Sequence, residues 1–360
     1  MRTADFDFEL PPELIAQHPS PERGQSKLLV LDRKQNRMEH KFFPDLPGFF
    51  NPGDVLVLND SRVIPARLRG TNAGTGGRFE LLLLEENGPN DWWVMIRPGK
   101  NARIGTVILL SQPNGTSGES PVSATVLAKN SEGHYRLQFS GGGDIKQLID
   151  TLGEVPLPPY IARDRAEQIP EDKERYQTVF ARNDGSVAAP TAGLHFTDGL
   201  LDNIRRAGVT VCFVTLHVGP GTFLPVKAPE ISEHIMHEER FSLGEETVHA
   251  VNEAKKSGAR VFAAGTTTVR VLESVAARNA GKLNVYEGKT SIFIFPPYNF
   301  KIVDALVTNF HLPCSTLLML ASAFAAPEEI RGREMMLAAY AEAIRERYRF
   351  YSYGDAMLIL

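Results

Sequence analysis

Residues 260–278 read RVFAAGTTTVRVLESVAAR and place a buried strand, a short polar turn and a helix in direct succession. The strand is predicted at 260–264, where apolar residues run without interruption up to a turn. Gly265, Thr266, Thr267 and Thr268 form the turn, and a helix is expected near 269–278. A buried strand that enters a helix in this way is typical of an α/β fold.

The same alternation continues on both sides of this stretch. Helices are expected near 198–206, 245–256, 315–324 and 327–348, and strands at 28–31, 55–58, 209–217, 291–295, 303–309 and 356–360. This order predicts a large α/β domain with a mainly parallel sheet, formed by residues 1–61 and 151–360. Because such sheets bind ligands at the carboxyl ends of their strands, the residues that follow the strands are the first candidates for a site.

Residues 62–150 show only the pattern of short strands. Six are expected, at 63–68, 79–84, 92–96, 106–110, 122–127 and 135–139, separated by turns such as 111–120 that are rich in Gly, Asn, Pro and Ser. Six short strands without a helical stretch predict a small antiparallel barrel or sandwich, inserted into the large domain.

The composition restricts the class of protein. Of 360 residues, 39 are basic and 43 acidic, and the formal net charge of −4 gives no sign of a nucleic-acid partner. No apolar stretch reaches the roughly 18 residues of a membrane-spanning helix, and residues 1–7 lack the features of a secretory signal. Two cysteines, Cys212 and Cys314, are too few for a disulfide framework or an iron–sulfur cluster. A cytoplasmic protein without a membrane partner is expected.

Histidines stand next to several expected strand or helix ends. His195 follows Gly193 just before a helix, and His311 follows a strand. His217 ends another strand and begins the stretch 217–223, whose two glycines let a substrate approach the backbone closely. A histidine at a strand end also occurs for structural reasons alone, so both interpretations stay open.

His234 and His237 are three positions apart, as in half of a metal site. The His-Glu-x-x-His order of zinc hydrolases is absent, and no neighbouring motif completes a ligand set. The pattern therefore favours acid–base chemistry or substrate contact over a metal, and no metal site is predicted.

The insertion carries a local excess of basic residues around two tryptophans, Trp92 and Trp93. A basic strand-rich surface with aromatic side chains can follow a phosphate backbone. A solvated face of mixed charge is the ordinary alternative.

Eight segments, in order along the whole chain, resemble one known family. They are residues 6–11 (FDFELP), 59–67 (NDSRVIPAR), 153–161 (GEVPLPPYI), 176–180 (YQTVF), 188–197 (AAPTAGLHFT), 265–270 (GTTTVR), 308–313 (TNFHLP) and 348–357 (YRFYSYGDAM). The sequence thereby resembles the S-adenosylmethionine:tRNA ribosyltransferase-isomerases of queuosine biosynthesis, most specifically in 308–313 and 353–357.

The resemblance implies a transferase that moves the ribosyl group of S-adenosylmethionine onto 7-aminomethyl-7-deazaguanine at the wobble position of a tRNA. The ribose is isomerised to an epoxycyclopentane, which gives epoxyqueuosine and releases adenine and methionine. It also implies a large α/β domain with an inserted β-barrel, no metal and no prosthetic group. S-Adenosylmethionine would be a substrate, tRNA the macromolecular partner, and the protein a monomer.

The implied reaction needs groups that move protons near neutral pH. The sulfonium acidifies the neighbouring C5′ hydrogens, adenine leaves when it is protonated, and the substrate amine attacks in its neutral form. Histidine suits such transfers. The predicted catalytic residues are therefore His195, His217, His237, His311 and Glu239, the last orienting an imidazole or facing the sulfonium.

Binding residues are predicted from the same segments. Backbone donors at a helix start suit the carboxylate or ribose of the donor, and Arg270 would add a charged bond to that carboxylate. Helix capping and an ordinary place on the helix surface are the alternatives. The predicted donor site is Gly193, Gly265, Thr266, Thr267, Thr268 and Arg270, and the predicted RNA-binding strip is Arg62, Arg67, Arg97 and Lys100.

Three other functions stay open. One is an S-adenosylmethionine-dependent enzyme of the same fold that acts on a small molecule, such as a methyltransferase. The second is a metal-dependent hydrolase that uses His234 and His237, and the third is a protein that binds RNA without chemistry.

Overall fold

The computed structural model describes residues 1–112, 122–163, 170–219, 221 and 226–360. Most of the predicted turn 111–120, and residues 220, 222 and 223 of the glycine-containing stretch, lie outside the described residues. Among the helices that the structure describes, none is both long and apolar enough to cross a membrane.

Outside the insertion, the structure contains the five predicted helices and the predicted strands other than 291–295, together with strands that were not predicted, at 37–42, 183–186, 239–243 and 286–290. The strands are β1 (Lys27–Asp32), β2 (Arg37–Phe42), β3 (Val55–Asn59), β4 (Ser61–Val63), β5 (Arg67–Asn72), β6 (Arg78–Gly88), β7 (Asp91–Arg97), β8 (Val107–Ser111), β9 (Ser123–Lys129), β10 (Tyr135–Ser140), β11 (Gly153–Glu154), β12 (Asn183–Ser186), β13 (Thr210–Leu216), β14 (Glu239–Leu243), β15 (Val261–Ala264), β16 (Tyr286–Thr290), β17 (Ala305–Asn309) and β18 (Ala356–Ile359). The helices are α1 (Ile145–Leu152), α2 (Pro170–Arg175), α3 (Asp198–Arg206), α4 (Glu245–Ser257), α5 (Thr266–Arg278), α6 (Thr316–Ala325) and α7 (Gly332–Arg345).

The large domain is built on one sheet with the strand order β16-β14-β13-β3-β15-β17-β18-β1-β2. β13, β3, β15 and β17 are parallel to one another, as β1 is to β18. The remaining neighbours are antiparallel. The predicted α/β domain is confirmed, and the expected parallel pairing holds at the centre of a mixed sheet.

The central strand β3 shows why its sequence is apolar throughout. Val55 and Val57 lie in the core on one face of the sheet, whereas Leu56 and Leu58 lie in the core on the other. Because successive side chains of a strand point to opposite faces, a strand covered on both faces needs a continuous apolar run. Helix α5 covers the first face and α3 the second.

The insertion forms a closed antiparallel barrel, as predicted. Its strands follow the order β5-β6-β7-β10-β9-β8, and β8 pairs again with β5. Inward-facing side chains such as Leu68, Leu81 and Leu137 fill the barrel. Helix α1 packs Leu152 against the same core, and the limits 62 and 150 of the inserted domain remain predictions.

Ion pairs join the barrel to an edge of the large sheet. Glu85 of β6 lies 2.6 Å from Arg240 of β14 and 3.0 Å from Lys289 of β16. Because both cations belong to the large domain, the carboxylate places the barrel wall beside β14 and β16.

The strand predicted at 291–295 is wrong, since β16 ends at Thr290 and an irregular segment follows. The backbone N–H of Ile292 donates to Thr290 Oγ1 (3.1 Å), and the carbonyl of Ile292 accepts from Arg270 Nε (3.3 Å). Side chains thus form the hydrogen bonds that the backbone groups of Ile292 would form with a neighbouring strand. Ile294 is nevertheless buried in the core.

Candidate active site

Four parallel strands end at the same edge of the large sheet. Asp60 follows β3, His217 follows β13, Gly265 follows β15 and Phe310 follows β17. This is the edge at which parallel sheets bind ligands. The local folding of each strand therefore brings four distant parts of the sequence to one place.

Asn59, the last residue of β3, ties this edge together. Its Oδ1 accepts from the backbone N–H groups of Ser61 (3.1 Å) and Leu216 (3.0 Å). Its Nδ2 donates to the carbonyl of Leu216 (3.0 Å) and to Thr267 Oγ1 (3.2 Å). One buried amide thus fixes the end of β13 and the start of α5 relative to β3.

Two further bonds hold the backbone on either side of His217. Thr215 Oγ1 donates to Asp60 Oδ1 (2.7 Å), and the N–H of Val218 donates to Ser186 Oγ (2.8 Å). Since these partners are themselves buried, the position of His217 is set by the fold and not by solvent-exposed loops.

A small hollow of about 50 Å³ lies beside the N-terminus of α5. The predicted residues Gly265, Thr266, Thr267 and His311 line it, together with Asn309. The first N–H groups of a helix have no partner within the helix and lie at its positive end. Asn309, which is 2% exposed, adds a side-chain amide that also interacts with His195, so the hollow combines helix-start donors with a buried amide.

His311 is held as a neutral imidazole in the wall of this hollow. Its Nε2 lies 2.8 Å from Thr308 Oγ1, and its backbone N–H donates to the hydroxyl of Tyr340 (2.8 Å). Burial lowers the pKa of His311 to about 3. At neutral pH the ring can accept or relay a proton, but it does not carry the charge of a general acid.

A cleft of about 1260 Å³ lies between the barrel and the large domain. Trp93 and Glu132 line it on the barrel side. The large domain contributes the predicted residues His217, His237, Glu239 and Arg270. Val218 and Leu317 line both this cleft and the small hollow, so the two spaces adjoin.

Glu239 and Arg270 form a buried ion pair in the cleft wall, with side chains 7% and 3% exposed. Arg270 Nη1 donates to Glu239 Oε2, and the N–H of Gly219 donates to Glu239 Oε1 (2.9 Å). Arg270 Nη2 is buried and has no hydrogen-bond partner among the residues that the structure describes. The pair therefore keeps hydrogen-bonding capacity that the described residues do not use.

His217 lies in the cleft wall with a buried Nδ1 that has no partner within the described ranges. Burial lowers its pKa below the usual value and Arg240 adds to this, while Asp60 and Asp184 act in the opposite direction. This Nδ1 is enclosed beside Gly185, where a Cβ would lie 2.9 Å from it. A neutral imidazole that lines the cleft is suited to accept a proton from a bound substrate.

His237 lies at a more open part of the cleft. Its Nδ1 is 3.7 Å from Glu132 Oε1, and Glu132 Oε2 is 3.2 Å from His134 Nδ1. His234 packs edge-on against Phe293 instead of joining them. In the described part of the chain, no three His, Cys, Asp or Glu side chains are arranged to hold a metal ion.

Comparison with known proteins identifies the family. A sequence model described as "queuosine biosynthesis protein" matches residues 3–359. The chain belongs to this family. Among solved structures, the crystal structure of S-adenosylmethionine tRNA ribosyltransferase from Thermotoga maritima is similar, with 37% identity and a TM-score of 0.54 over 99% of this chain and 100% of that chain. The predicted family and the prediction of an enzyme, a transferase, are confirmed.

Membership in a queuosine biosynthesis family decides against two of the alternatives, a metal-dependent hydrolase and a protein that only binds RNA. The geometry of this queuosine biosynthesis enzyme gathers most of the predicted site residues in two adjoining spaces. The cleft holds His217, His237, Glu239 and Arg270, and the hollow holds Gly265, Thr266, Thr267 and His311. His195, Gly193 and Thr268 line neither space.

His195 is buried behind the strand ends. Its Nδ1 lies 2.7 Å from Ser26 Oγ, and its ring packs on Phe43 at 5.0 Å between centroids. Burial lowers the pKa of His195 to about 4. These contacts favour a structural role, and the catalytic role of His195 stays a prediction.

Gly193 and Thr268 also have structural surroundings. A Cβ at Gly193 would lie 2.8 Å from Thr178 and 2.9 Å from Phe180, so glycine is needed there for packing. Thr268 Oγ1 donates to the carbonyl of Ala264 (2.8 Å) inside the start of α5. Their predicted part in donor binding is not supported by their positions.

The predicted RNA-binding residues differ in exposure. Arg62, Arg97 and Lys100 are exposed, and Arg62 lies 3.7 Å from Asp184. Arg67 is half-buried and donates to the carbonyl of Leu157 (3.0 Å). Three of the four residues are therefore accessible to a phosphate backbone, whereas Arg67 holds two parts of the chain together.

Asn59, Asp60 and Asn309 organise the site and were missed by the sequence analysis. All three are buried polar residues at the end of, or just after, a strand of the large sheet. They also lie in two of the segments that carry the family resemblance. Their position at the end of an apolar strand segment, or directly after one, is the sequence signal that could have identified them.

Proposed function

We propose that this enzyme transfers and isomerises the ribosyl group of S-adenosylmethionine onto 7-aminomethyl-7-deazaguanine at the wobble position of a tRNA. The products are epoxyqueuosine in the tRNA, adenine and methionine. The observation that carries the proposal is the pair of adjoining spaces at the strand ends, in a queuosine biosynthesis enzyme. One space is small and rich in backbone donors, and the other is large, open and lined by neutral imidazole.

The small hollow suits the ribose of the donor. Thr266 and Thr267 line it at the start of α5, where the first backbone N–H groups have no partner within the helix, and Asn309 adds a side-chain amide. A ribose has hydroxyl groups that both donate and accept. The hollow therefore binds the sugar, and the cleft next to it receives the rest of the donor and the tRNA base.

His217 is the proposed base for the C5′ hydrogen of the donor. The sulfonium acidifies this hydrogen, and the neutral imidazole of His217, which lines the cleft, accepts it. His237, at the open part of the cleft beside Glu132, is the proposed second base, which removes the proton of the attacking aminomethyl group. The half-buried indole of Trp93 offers a surface on which the splayed target base stacks.

The proposal is tested by incubating the protein with S-adenosylmethionine and a tRNA that carries the deazaguanine precursor. Mass spectrometry of the tRNA is expected to show addition of the epoxycyclopentane unit, and chromatography an equal amount of free adenine. The same tRNA with unmodified guanine is the control. If S-adenosylhomocysteine forms in place of adenine, the protein is a methyltransferase and the proposed function is wrong.

The exposed basic residues predict a salt-dependent affinity for tRNA. Four phosphate contacts would give a log–log slope of about −3, at about −0.7 per phosphate for single strands. Replacing Arg97 and Lys100 together with glutamine is expected to reduce the slope by about 1.4. Fluorescence titration between low and moderate salt measures this.

The matched control replaces Arg205 and Arg206, two exposed residues of α3, in the same way. This control is expected to keep the slope of the unmodified protein. An unchanged slope in the Arg97 and Lys100 variant would show that the barrel surface does not bind the tRNA.

A further inference from the structure

The buried pair of Glu239 and Arg270 has the chemistry of a receptor for an α-amino acid. Arg270 comes from the second turn of α5 and Glu239 from the first position of β14. Both side chains line the cleft. Among the described residues, each of them contacts the other side chain and one backbone group, and Arg270 Nη2 has no partner there.

The charge balance of the pair selects the kind of ligand. A lone monovalent anion such as acetate would leave two negative charges near one buried guanidinium, and a lone cation would leave two positive charges near one carboxylate. Uncompensated charge is costly in a buried site. A zwitterion adds one charge of each sign, so its carboxylate can take the guanidinium and its ammonium the carboxylate of Glu239, with the site neutral throughout.

The position of the pair matches the size of the donor. Thr267 lines the small hollow and Arg270 lines the cleft, and the two residues are one turn apart on the same side of α5. Neighbours at this spacing are about 5–6 Å apart between Cβ atoms. A molecule with its ribose in the hollow can therefore place a short side arm at Arg270.

We propose that Arg270 binds the carboxylate, and Glu239 the ammonium group, of the methionine part of the donor. This inference rests on the proposed function, which makes S-adenosylmethionine the donor. The ion pair is then a specificity-determining subsite. On binding, the bond between Arg270 and Glu239 is replaced by one bond from each side chain to the ligand. This arrangement also implies that the product L-methionine competes with the donor for the same pair.

Calorimetric titration with two donors separates this role from a structural one. The probes are S-adenosylmethionine and decarboxylated S-adenosylmethionine, which keeps the adenosine, the sulfonium and the amine. The unmodified protein is expected to bind the first about 30-fold more tightly, the value of one charge-assisted hydrogen bond pair. In the Arg270→Gln variant this preference is expected to disappear, because the affinity for S-adenosylmethionine falls while that for the decarboxylated compound, whose ammonium can pair with the freed carboxylate of Glu239, does not fall.

A second variant guards against misfolding, because Arg270→Gln leaves Glu239 buried without its partner. The double change Glu239→Gln with Arg270→Gln removes both charges together and retains polar side chains. It is expected to lose the preference for the carboxylate as well. Competition with L-methionine and N-acetyl-L-methionine tests Glu239, since only the first carries an ammonium group and only it should displace the donor.

The outcomes distinguish this inference from the function on which it rests. If the unmodified protein releases adenine from the donor but the double variant keeps the 30-fold preference, the subsite is wrong and the function stands. An equal loss of affinity for both donors assigns the pair a structural role and also overturns the subsite. Absence of adenine release and of donor binding in the unmodified protein overturns both.

Discussion

Replacing His217 with glutamine is expected to slow adenine release by about 100-fold or more, the usual contribution of a general base. The change removes the imidazole whose buried Nδ1 has no partner among the described residues. Glutamine retains a polar side chain of similar length, so the affinity for S-adenosylmethionine is expected to stay the same. Single-turnover release of adenine and calorimetric titration measure the two quantities.

The control for His217 is His249→Gln, an exposed residue of α4 that is expected to leave the rate unchanged. The pKa of His217 lies below the usual histidine value. Adenine release by the unmodified enzyme should therefore slow only when the pH falls below the usual histidine pKa. The variant should lack this acid limb. A variant with the full rate, or one that loses rate and donor affinity in parallel, would remove His217 from the role of base.

Acidification from pH 8 to pH 5 is expected to destabilise the protein by about 4 kcal/mol through two buried histidines alone. Burial lowers the pKa of His195 to about 4 and that of His311 to about 3. In the unfolded chain both titrate near 6.5. Between these values the unfolded state binds more protons, so stability is complete above about pH 6.5 and decreases as the pH falls.

The two contributions are separated by substitution. His311→Gln is expected to reduce the loss between pH 8 and pH 5 by about 2 kcal/mol, measured by urea unfolding at both values. His18→Gln, at an exposed position, should show the full loss. The carboxylates are the same in all three proteins, so their contribution to the loss of stability cancels when the proteins are compared. Equal losses in the unmodified protein and in His311→Gln would contradict the prediction.

Several parts of the fold follow from local sequence. The unbroken apolar run of β3 predicts a strand buried on both faces, and the strand is indeed covered on both. The polar residues 265–268, predicted as a turn and found at the start of α5, predict a ligand-binding end, and this end lines a hollow. In both cases the signal lies within about ten residues, because strand burial and helix starts depend on local pattern.

Other parts depend on contacts that no local pattern contains. β14 was not predicted, although Glu239, Phe241 and Leu243 alternate as buried residues. From the sequence alone a glutamate is expected to be exposed to solvent, because the residue that pairs with its charge is not known. That partner, Arg270, is 31 positions away and on a helix.

The histidines show the same limit. His195, His217 and His311 all stand beside glycine or polar turns near element ends, and the sequence treats them alike. The fold buries His195 against Ser26 and Phe43, turns His311 into the small hollow, and exposes the ring of His217 to the cleft. Packing from distant segments makes this distinction.

The helices and central strands of the large domain, the inserted barrel and the family were predictable from the amino-acid sequence, since they are carried by periodicity, turn residues and contiguous motifs. Only the tertiary structure brought the barrel against the strand ends, paired Glu239 with Arg270 and left Arg270 Nη2 without a partner in the described part of the chain. The reason is that charge pairing and burial are properties of side chains that meet in space. Their free energies depend on neighbours that lie far away along the chain.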